Sequence, residues 1–119
     1  MKVKTSELNG VALDWAVAGL EGEDVWRESR NIYVRDDDGN SVSHYSPSTY
    51  WAQGGLIIER ESISIWEFDD VTWKAEKPLV GVDCVYEAPT TLIAAMRCYV
   101  ASKLGDEVEV PDELLEKAE

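Results

Sequence analysis

The strongest constraint on the fold is a segment near the C-terminal end that is apolar on nearly every side of a helix. Between Thr90 and Ser102 the only charged residue is Arg97, and the rest are mostly leucine, isoleucine, alanine, methionine, valine and tyrosine. A helix that is apolar all round is buried by the rest of its domain. The segment therefore predicts a central helix at about 90–104, which Thr90 caps and Gly105 ends.

A second helix is predicted near the start of the chain. Apolar residues recur there at helical spacing over about 6–20, with Thr5 or Ser6 as the N-cap and Gly22 as the C-terminal stop. Asp14 is the only charge in residues 11–20. This helix should also pack against the core.

Segments of strand-like composition fill most of the remaining chain. Isoleucine, valine, tryptophan and tyrosine are frequent in them, and an Asp-Gly turn at 36–40 suggests a hairpin. We predict one domain over residues 1–119 of the α+β class, with an antiparallel sheet of about four to five strands and two helices on one face. The strand-like segments are 31–35, 56–60, 62–66, 71–75 and 107–110, with a weaker one at 79–86 and a short helical end at 111–115.

The charge of the chain excludes some partners. The net charge is -13, and the acidic end at 106–119 holds seven acidic residues and one lysine. Such a surface repels phosphates, so we expect no direct binding to nucleic acid, and it favours basic partners. Mimicry of DNA is a more extreme interpretation of the same charge. With no export signal or membrane-spanning run, the chain is expected in the cytoplasm.

The sequence contains no pattern typical of catalysis or of a metal site. Cys84 and Cys98 lack the paired spacing of a zinc site, so we predict free, buried thiols and no metal or cofactor. The single histidine, His44, could serve as a general base only beside a nucleophile. Ser43, Ser46 and Cys98 are all possible, and none is marked as one. We predict no catalytic residue, which favours a non-catalytic protein.

The segment 44–55 is the best candidate for a binding site. It combines aromatic rings, hydroxyls, an amide, a proline and a glycine pair, which is typical of an ordered loop. These side chains could simply complete the structure, or they could form a surface that binds a partner or stacks on a flat ligand. The candidate binding residues are Tyr45, Ser46, Ser48, Thr49, Trp51, Gln53, Gly54 and Gly55.

The lone charges of the two apolar helices also need partners. Removing Asp14 or Arg97 from water without compensation would cost several kcal/mol. The first interpretation is a structural ion pair between Asp14 and Arg97. In the second, Arg97 anchors an anionic or amide-bearing ligand beside Gly54 and Gly55, because a guanidinium suits carboxylate or phosphate.

Five stretches of the chain resemble the NinX family of lambdoid phages and prophages, a domain of unknown function. They are residues 2–8, 12–18, 45–55, 57–61 and 92–105. The resemblance implies a phage accessory protein made in the cytoplasm of an infected or lysogenic enterobacterial cell. It implies no particular reaction.

Together these patterns favour a protein that binds a host protein and modulates it during infection through the aromatic, polar loop. The alternative is a protein that binds or sequesters a small molecule or nucleotide in a pocket beside residues 44–55 and Arg97. An uncovered strand edge at Val108–Val110 would also allow pairing between copies of the chain.

Overall fold

Three α-helices and eight short strands make up the part of the chain that this computed structural model describes, which is residues 1–28, 31–35, 39, 41–77 and 84–115. The helices are α1 (Gly10–Glu21), α2 (Trp51–Glu61) and α3 (Thr91–Leu104). The strands are β1 (Lys2–Lys4), β2 (Val25–Glu28), β3 (Asn31–Arg35), β4 (Val42–His44), β5 (Ser64–Asp69), β6 (Thr72–Glu76), β7 (Val85–Ala88) and β8 (Glu107–Glu109).

The strands form three small antiparallel sheets. β1 pairs with β8, β2–β3–β4 form a meander, and β5–β6–β7 form a second meander. The α+β class is therefore confirmed, whereas the single sheet of four to five strands is wrong in the described residues. Turn chemistry makes hairpins visible in a sequence, but it does not show whether successive hairpins join one sheet.

Helix α3 lies at the centre of the molecule, as its composition predicts. It packs against α1, α2 and all three strands of the β5–β6–β7 sheet. Ala94, Ala95 and Met96 are fully inaccessible to solvent. The Thr90 hydroxyl accepts a hydrogen bond from the Ile93 N–H at 3.2 Å, which confirms the predicted cap.

Helix α1 begins at Gly10, later than predicted, and residues 5–7 form a single 3-10 turn. The Thr5 hydroxyl donates to the carbonyl of Gly105 at 2.7 Å, so Thr5 ties the chain ends together and does not cap α1. Gly22 ends the helix with a φ of 68°, in the left-handed region that favours glycine. The predicted C-terminal stop is thus confirmed.

The strand predicted at 56–60 is wrong, because these residues belong to α2. Leu56, Ile57 and Ile58 have a strand-like composition, yet only Ile57 is fully buried and Leu56 faces solvent. That one-sided burial fits a helix. Residues 51–55, predicted as part of a loop, form the first turn of the same helix.

The remaining strand predictions hold with shifted ends. Strands lie at 31–35, 64–69, 72–76 and 107–109, and a 3-10 turn at Asp112–Leu114 matches the predicted helical end. The Asp-rich turn at 36–38 and 40, and most of the weak strand at 79–86, lie outside the described residues. None of the helices in the described ranges is long and apolar enough to cross a membrane.

Cys84 and Cys98 are free and buried, which confirms the predicted thiols. Their sulfur atoms lie 3.9 Å apart, between the start of β7 and α3. Burial and the neighbouring Cys84 raise the pKa of the Cys98 thiol to about 12.

Candidate functional site

The loop at residues 44–50 is held against α1 by a buried carboxylate. The Asp14 Oδ1 atom accepts a hydrogen bond from the Ser48 N–H at 2.8 Å, and its Oδ2 atom accepts one from the Ser46 hydroxyl at 3.3 Å. Ser46 also pairs with the Thr49 hydroxyl. The Ser46 carbonyl accepts from the N–H groups of Thr49 and Tyr50, which closes a tight turn. Asp14 therefore fixes the loop, and the loop is ordered as predicted.

Burial sets the ionisation of Asp14. Removal from water raises the pKa of its carboxyl to about 6, against the opposing effect of the hydrogen bonds from Ser48 and Ser46. The two groups that donate hydrogen bonds to this carboxylate are neutral. The buried charge is thus supported by hydrogen bonds alone.

The side chain of Gln53 joins the loop to α2. Its Oε1 atom accepts from the Ser46 N–H at 2.6 Å, and its Nε2 group donates to the His44 carbonyl at 3.1 Å. Both ends of the amide are engaged with the main chain of the loop. Gln53, predicted as a binding residue, therefore shapes the loop.

The glycine pair allows α2 to approach its neighbours closely. A Cβ atom on Gly54 would lie 2.2 Å from the Pro47 carbonyl oxygen and 2.8 Å from the Leu92 side chain. A Cβ atom on Gly55 would instead meet the ring of Trp51 at 3.1 Å. Gly54 is thus required where α2 touches the loop and α3, whereas Gly55 gives the Trp51 ring room to lie along the helix.

Three large apolar side chains at the outward side of α2 remain exposed. Tyr50 is 58% exposed, Trp51 is 54% exposed and Leu56 is 67% exposed. Leu56 lies on the side of the helix away from Gly54 and Ile57, both of which are buried. Trp51 lies in the first turn with its ring beside Gly55. We call Tyr50, Trp51 and Leu56 the α2 surface.

A cleft of about 660 Å³ adjoins the α2 surface, between the end of α1, strand β3 and α2. Tyr45, only 7% exposed, contributes to its wall together with Gln53 and Leu56. Four charged residues also line the cleft: Glu21, Glu23, Arg35 and Arg60. We call this the α2 cleft.

The α2 cleft combines two acidic and two basic side chains, and the acidic ones act on Tyr45. Arg60 is engaged by Glu21 in a two-pronged ion pair at 2.8 and 2.6 Å, and Arg35 lies over the Trp26 ring. Burial, and then the charges of Glu21 and Glu23, raise the pKa of the Tyr45 hydroxyl. The potential at the phenol is therefore negative.

The predicted ion pair between Asp14 and Arg97 is wrong. The Arg97 Nε group donates to the Leu8 carbonyl at 2.6 Å, and Nη1 donates to the Glu87 carbonyl at 2.8 Å. Arg97 also lines a different cleft, which the β6–β7 side of the molecule forms, and is not among the residues that line the α2 cleft. The structure therefore does not bring Arg97 together with the loop residues.

Two groups of residues at or near the site escaped the sequence analysis. One is a polar network in which the Tyr99 hydroxyl donates to Glu21 at 2.5 Å and Arg60 bridges Glu21 and Glu61. It fastens the end of α2 to α1 and α3. Its members are 39 and 78 residues apart in the chain, so no local pattern could have indicated them.

The other group is a row of rings across the β2–β3–β4 sheet. Trp26 stacks on Tyr33 with ring centres 6.1 Å apart, and Tyr33 contacts His44 at 4.8 Å. The register of the three strands places these rings side by side. The row of rings could have been predicted only if segments 25–28 and 42–44 had been recognised as strands that pair with β3. Neither segment was predicted as a strand.

Among the described residues, no group of three or more histidine, cysteine, aspartate or glutamate side chains is placed to hold a metal ion. His44 contacts the ring of Tyr33, and Ser46 is bonded to Asp14 and Thr49. None of these contacts joins His44 to a serine.

The model of one protein family, described as Bacteriophage P22, NinX, matches residues 4–103 of the chain. Because the match covers most of the chain, the protein belongs to the NinX family. No curated protein matches the chain. The family consists of phage proteins. Membership in it indicates no reaction at the α2 surface, the α2 cleft or Arg97.

Proposed function

We propose that this NinX family member is a non-catalytic phage accessory protein that binds a host protein through the α2 surface and the adjoining α2 cleft. The observation that carries the proposal is the exposure of Tyr50, Trp51 and Leu56 on a helix whose opposite side is firmly anchored. Large exposed aromatic and aliphatic groups close together are typical of protein interfaces.

The anchoring supports this proposal physically. Asp14 and Gln53 hold the loop, Gly54 packs against Pro47, and Arg60 holds the end of the helix. A surface that is already ordered loses little conformational entropy when a partner docks. The α2 surface is therefore well suited to bind as it stands.

The charge of the chain suggests the chemistry of the partner. The chain carries -13 overall, and in the α2 cleft Glu21 and Glu23 place negative charge beside the Tyr45 phenol. A partner with an apolar ridge for the α2 surface and a lysine or arginine for the cleft would match both features. Its association would be steered by charge and weakened by salt.

A binding experiment with matched variants tests the proposal. Wild-type protein, the double variant Trp51→Ala/Leu56→Ala and the control Trp66→Ala/Phe68→Ala are each immobilised and exposed to an enterobacterial lysate. The control removes two exposed aromatic rings from β5, a different surface. A partner found in this way is then purified and titrated against all three proteins.

We expect the purified partner to bind wild type and the control equally and to bind the Trp51→Ala/Leu56→Ala variant at least about tenfold more weakly. Thermal unfolding should be nearly the same for all three proteins. Equal binding by the α2 variant, or a loss confined to the control, would overturn the proposal.

A second candidate function is the binding of a small molecule in the α2 cleft. The volume of about 660 Å³ and the buried Tyr45 in its wall favour this function. The two glutamates, and the ion pair that engages Arg60, disfavour nucleotides. A thermal-shift panel of amines, neutral metabolites and nucleotides tests it: a shift with amines that Glu23→Gln reduces supports it, and a shift with nucleotides alone contradicts it.

A further inference from the structure

Arg97 is a buried cation that forms hydrogen bonds but no ion pair in the described part of the chain. It is only 9% exposed, and its two hydrogen-bond partners, the carbonyls of Leu8 and Glu87, are neutral. Among the described residues, no carboxylate forms an ion pair with it. Burial accordingly lowers the pKa of the guanidinium.

The guanidinium retains donors for a ligand. It carries five N–H groups, and the two carbonyl contacts in the described structure use one group on Nε and one on Nη1. The carbonyls also fix the plane of the group. The guanidinium of Arg97 is therefore held in one orientation before any ligand binds. It carries a full charge, and three of its N–H groups are not used by the two carbonyl contacts.

Arg97 lines an open cleft of about 730 Å³. Its wall combines apolar and hydroxyl-bearing residues with one acidic residue, Glu87. The apolar residues are Val71, Val85, Ala88 and Pro89, and the hydroxyl-bearing ones are Ser6, Thr72 and Tyr86. Val71 and Val85 are largely exposed, so their side chains are free to contact a ligand. We call this the Arg97 cleft.

We propose that the Arg97 cleft binds a carboxylate carried on an apolar body, with the carboxylate on the guanidinium of Arg97 and the body against Val71, Val85 and Pro89. Pairing with a carboxylate would supply the anion that the buried charge lacks, and charge-assisted bonds of this kind are short and strong. The apolar wall would contribute by removing surface from water.

The surroundings favour a single negative charge over a phosphate. Burial, and to a smaller extent the charge of Asp106, raise the pKa of the Tyr86 phenol. A smaller adjoining cleft contains Lys4, Asp106 and Glu107. Glu87 in the wall of the Arg97 cleft adds to this negative charge, and Lys4 in the smaller cleft offsets part of it. Repulsion by these acids is larger for a dianion than for a monoanion, so a carboxylate, which one guanidinium can neutralise, fits the cleft better than a phosphate dianion.

The carboxylate could come from a free acid or from the C-terminal end of a peptide, and the same experiment distinguishes them. Wild-type protein labelled with ¹⁵N is titrated in the millimolar range with hexanoate, with hexanamide, and with a short valine-rich peptide in free-acid and amidated forms. The backbone signals of residues 71–72, 85–88 and 97 are followed.

We expect saturable shifts at these residues with hexanoate and none with hexanamide, because only the acid pairs with the guanidinium. If a peptide end is the natural ligand, the free-acid peptide binds more tightly than hexanoate and its amidated form does not bind. If a free acid is the natural ligand, hexanoate binds more tightly than the free-acid peptide. Equal shifts with hexanoate and hexanamide, or no saturable shift with any acid, would overturn the proposal.

Two variants complete the test. Arg97→Met should abolish the hexanoate shifts, and Arg27→Met, which removes an arginine from β2 on another surface, should leave them unchanged. Hexanoate binding that persists in a folded Arg97→Met protein would also overturn the proposal. If Arg97→Met does not fold, the comparison of acid and amide on wild type still decides.

Discussion

Asp14 and Arg97 are each the lone charge in an apolar helical segment, yet their surroundings differ. Both oxygens of Asp14 are bonded to the loop, so the carboxylate serves to hold the 46–50 turn against α1. Arg97 is bonded to two carbonyls and opens onto a cleft. A buried charge can thus hold two segments of the chain together or remain available to a ligand. The hydrogen-bond partners of the charge distinguish the two cases.

The largest expected effect concerns the loop that Asp14 holds, at the point where α2 packs against it. Gly54→Ala would place a Cβ atom 2.2 Å from the Pro47 carbonyl oxygen, which is main chain and cannot move aside. We expect a loss of about 3 kcal/mol or more in the free energy of unfolding, measured by urea denaturation.

Gly55→Ala is the matched control for Gly54→Ala. Its added Cβ meets only the exposed Trp51 ring, and alanine favours helix, so the change should lie within about 1 kcal/mol of wild type. Equal effects at Gly54 and Gly55 would contradict the close contact between α2 and the loop.

Removing the carboxylate of Asp14 should have the next largest effect. Asp14→Ala leaves the buried Ser48 N–H without its acceptor, and we expect a loss of about 2 kcal/mol in the free energy of unfolding. Asp24→Ala, at an exposed site just beyond α1, serves as the control and should change stability by less than about 0.5 kcal/mol. A similar small change in Asp14→Ala would mean that the loop does not depend on the carboxylate.

The pH dependence of stability tests the burial of Asp14. Its pKa in the folded protein is about 6, above the 3.8 of an unperturbed aspartate, so the folded state binds the proton more tightly. Stability should therefore rise as the pH falls from about 7 to about 5, by about 1 kcal/mol.

Asp14→Asn is the reference for this pH effect, because it removes the titrating group and leaves the other carboxylates in place. The lowered pKa values of Glu21 and Glu61 act in the opposite direction at lower pH and cancel in the difference between the two proteins. Parallel stability curves for wild type and Asp14→Asn would contradict a raised pKa.

Arg97→Met tests the other half of the comparison. The substitution removes an unpaired buried charge, which is favourable, and leaves two carbonyls without a donor, which is unfavourable. We expect a net change of about 1 kcal/mol or less in the free energy of unfolding, smaller than that of Asp14→Ala. A larger loss than that of Asp14→Ala would show that Arg97 is as structural as Asp14.

The smallest effect is expected at Trp51. Because the ring is more than half exposed and packs mainly along its own helix, Trp51→Ala should change the free energy of unfolding by less than about 1 kcal/mol. Urea denaturation followed by circular dichroism measures it. A loss comparable to that of a core truncation would place Trp51 in the structure and remove it from the proposed interface.

The sequence was sufficient where one local pattern determines the structure. The periodicity and caps of α1 and α3 reflect side chains within a few residues of each other, so Gly22 and Thr90 could be identified directly. The unusual charges of Asp14 and Arg97 were also visible. Their partners were not, because Ser48, Leu8 and Glu87 are brought to them only by the tertiary fold.

Helix α2 shows why the rest could not be predicted. Two glycines disfavour a helix, and Ile57 and Ile58 favour a strand, so the local preferences point away from the structure. The helix forms because Gly54 permits a close contact and because Arg60 is bonded to Glu21, 39 residues away. Tertiary contacts here override propensity.

The burial of both cysteines has a practical consequence for labelling. Since neither Cys84 nor Cys98 is accessible and the thiol of Cys98 is held in its unreactive protonated form, thiol reagents should spare the native protein. A single cysteine introduced at an exposed position would then be the only site modified. Fluorophores, crosslinkers and spin labels could be attached to chosen surfaces without removing either natural cysteine.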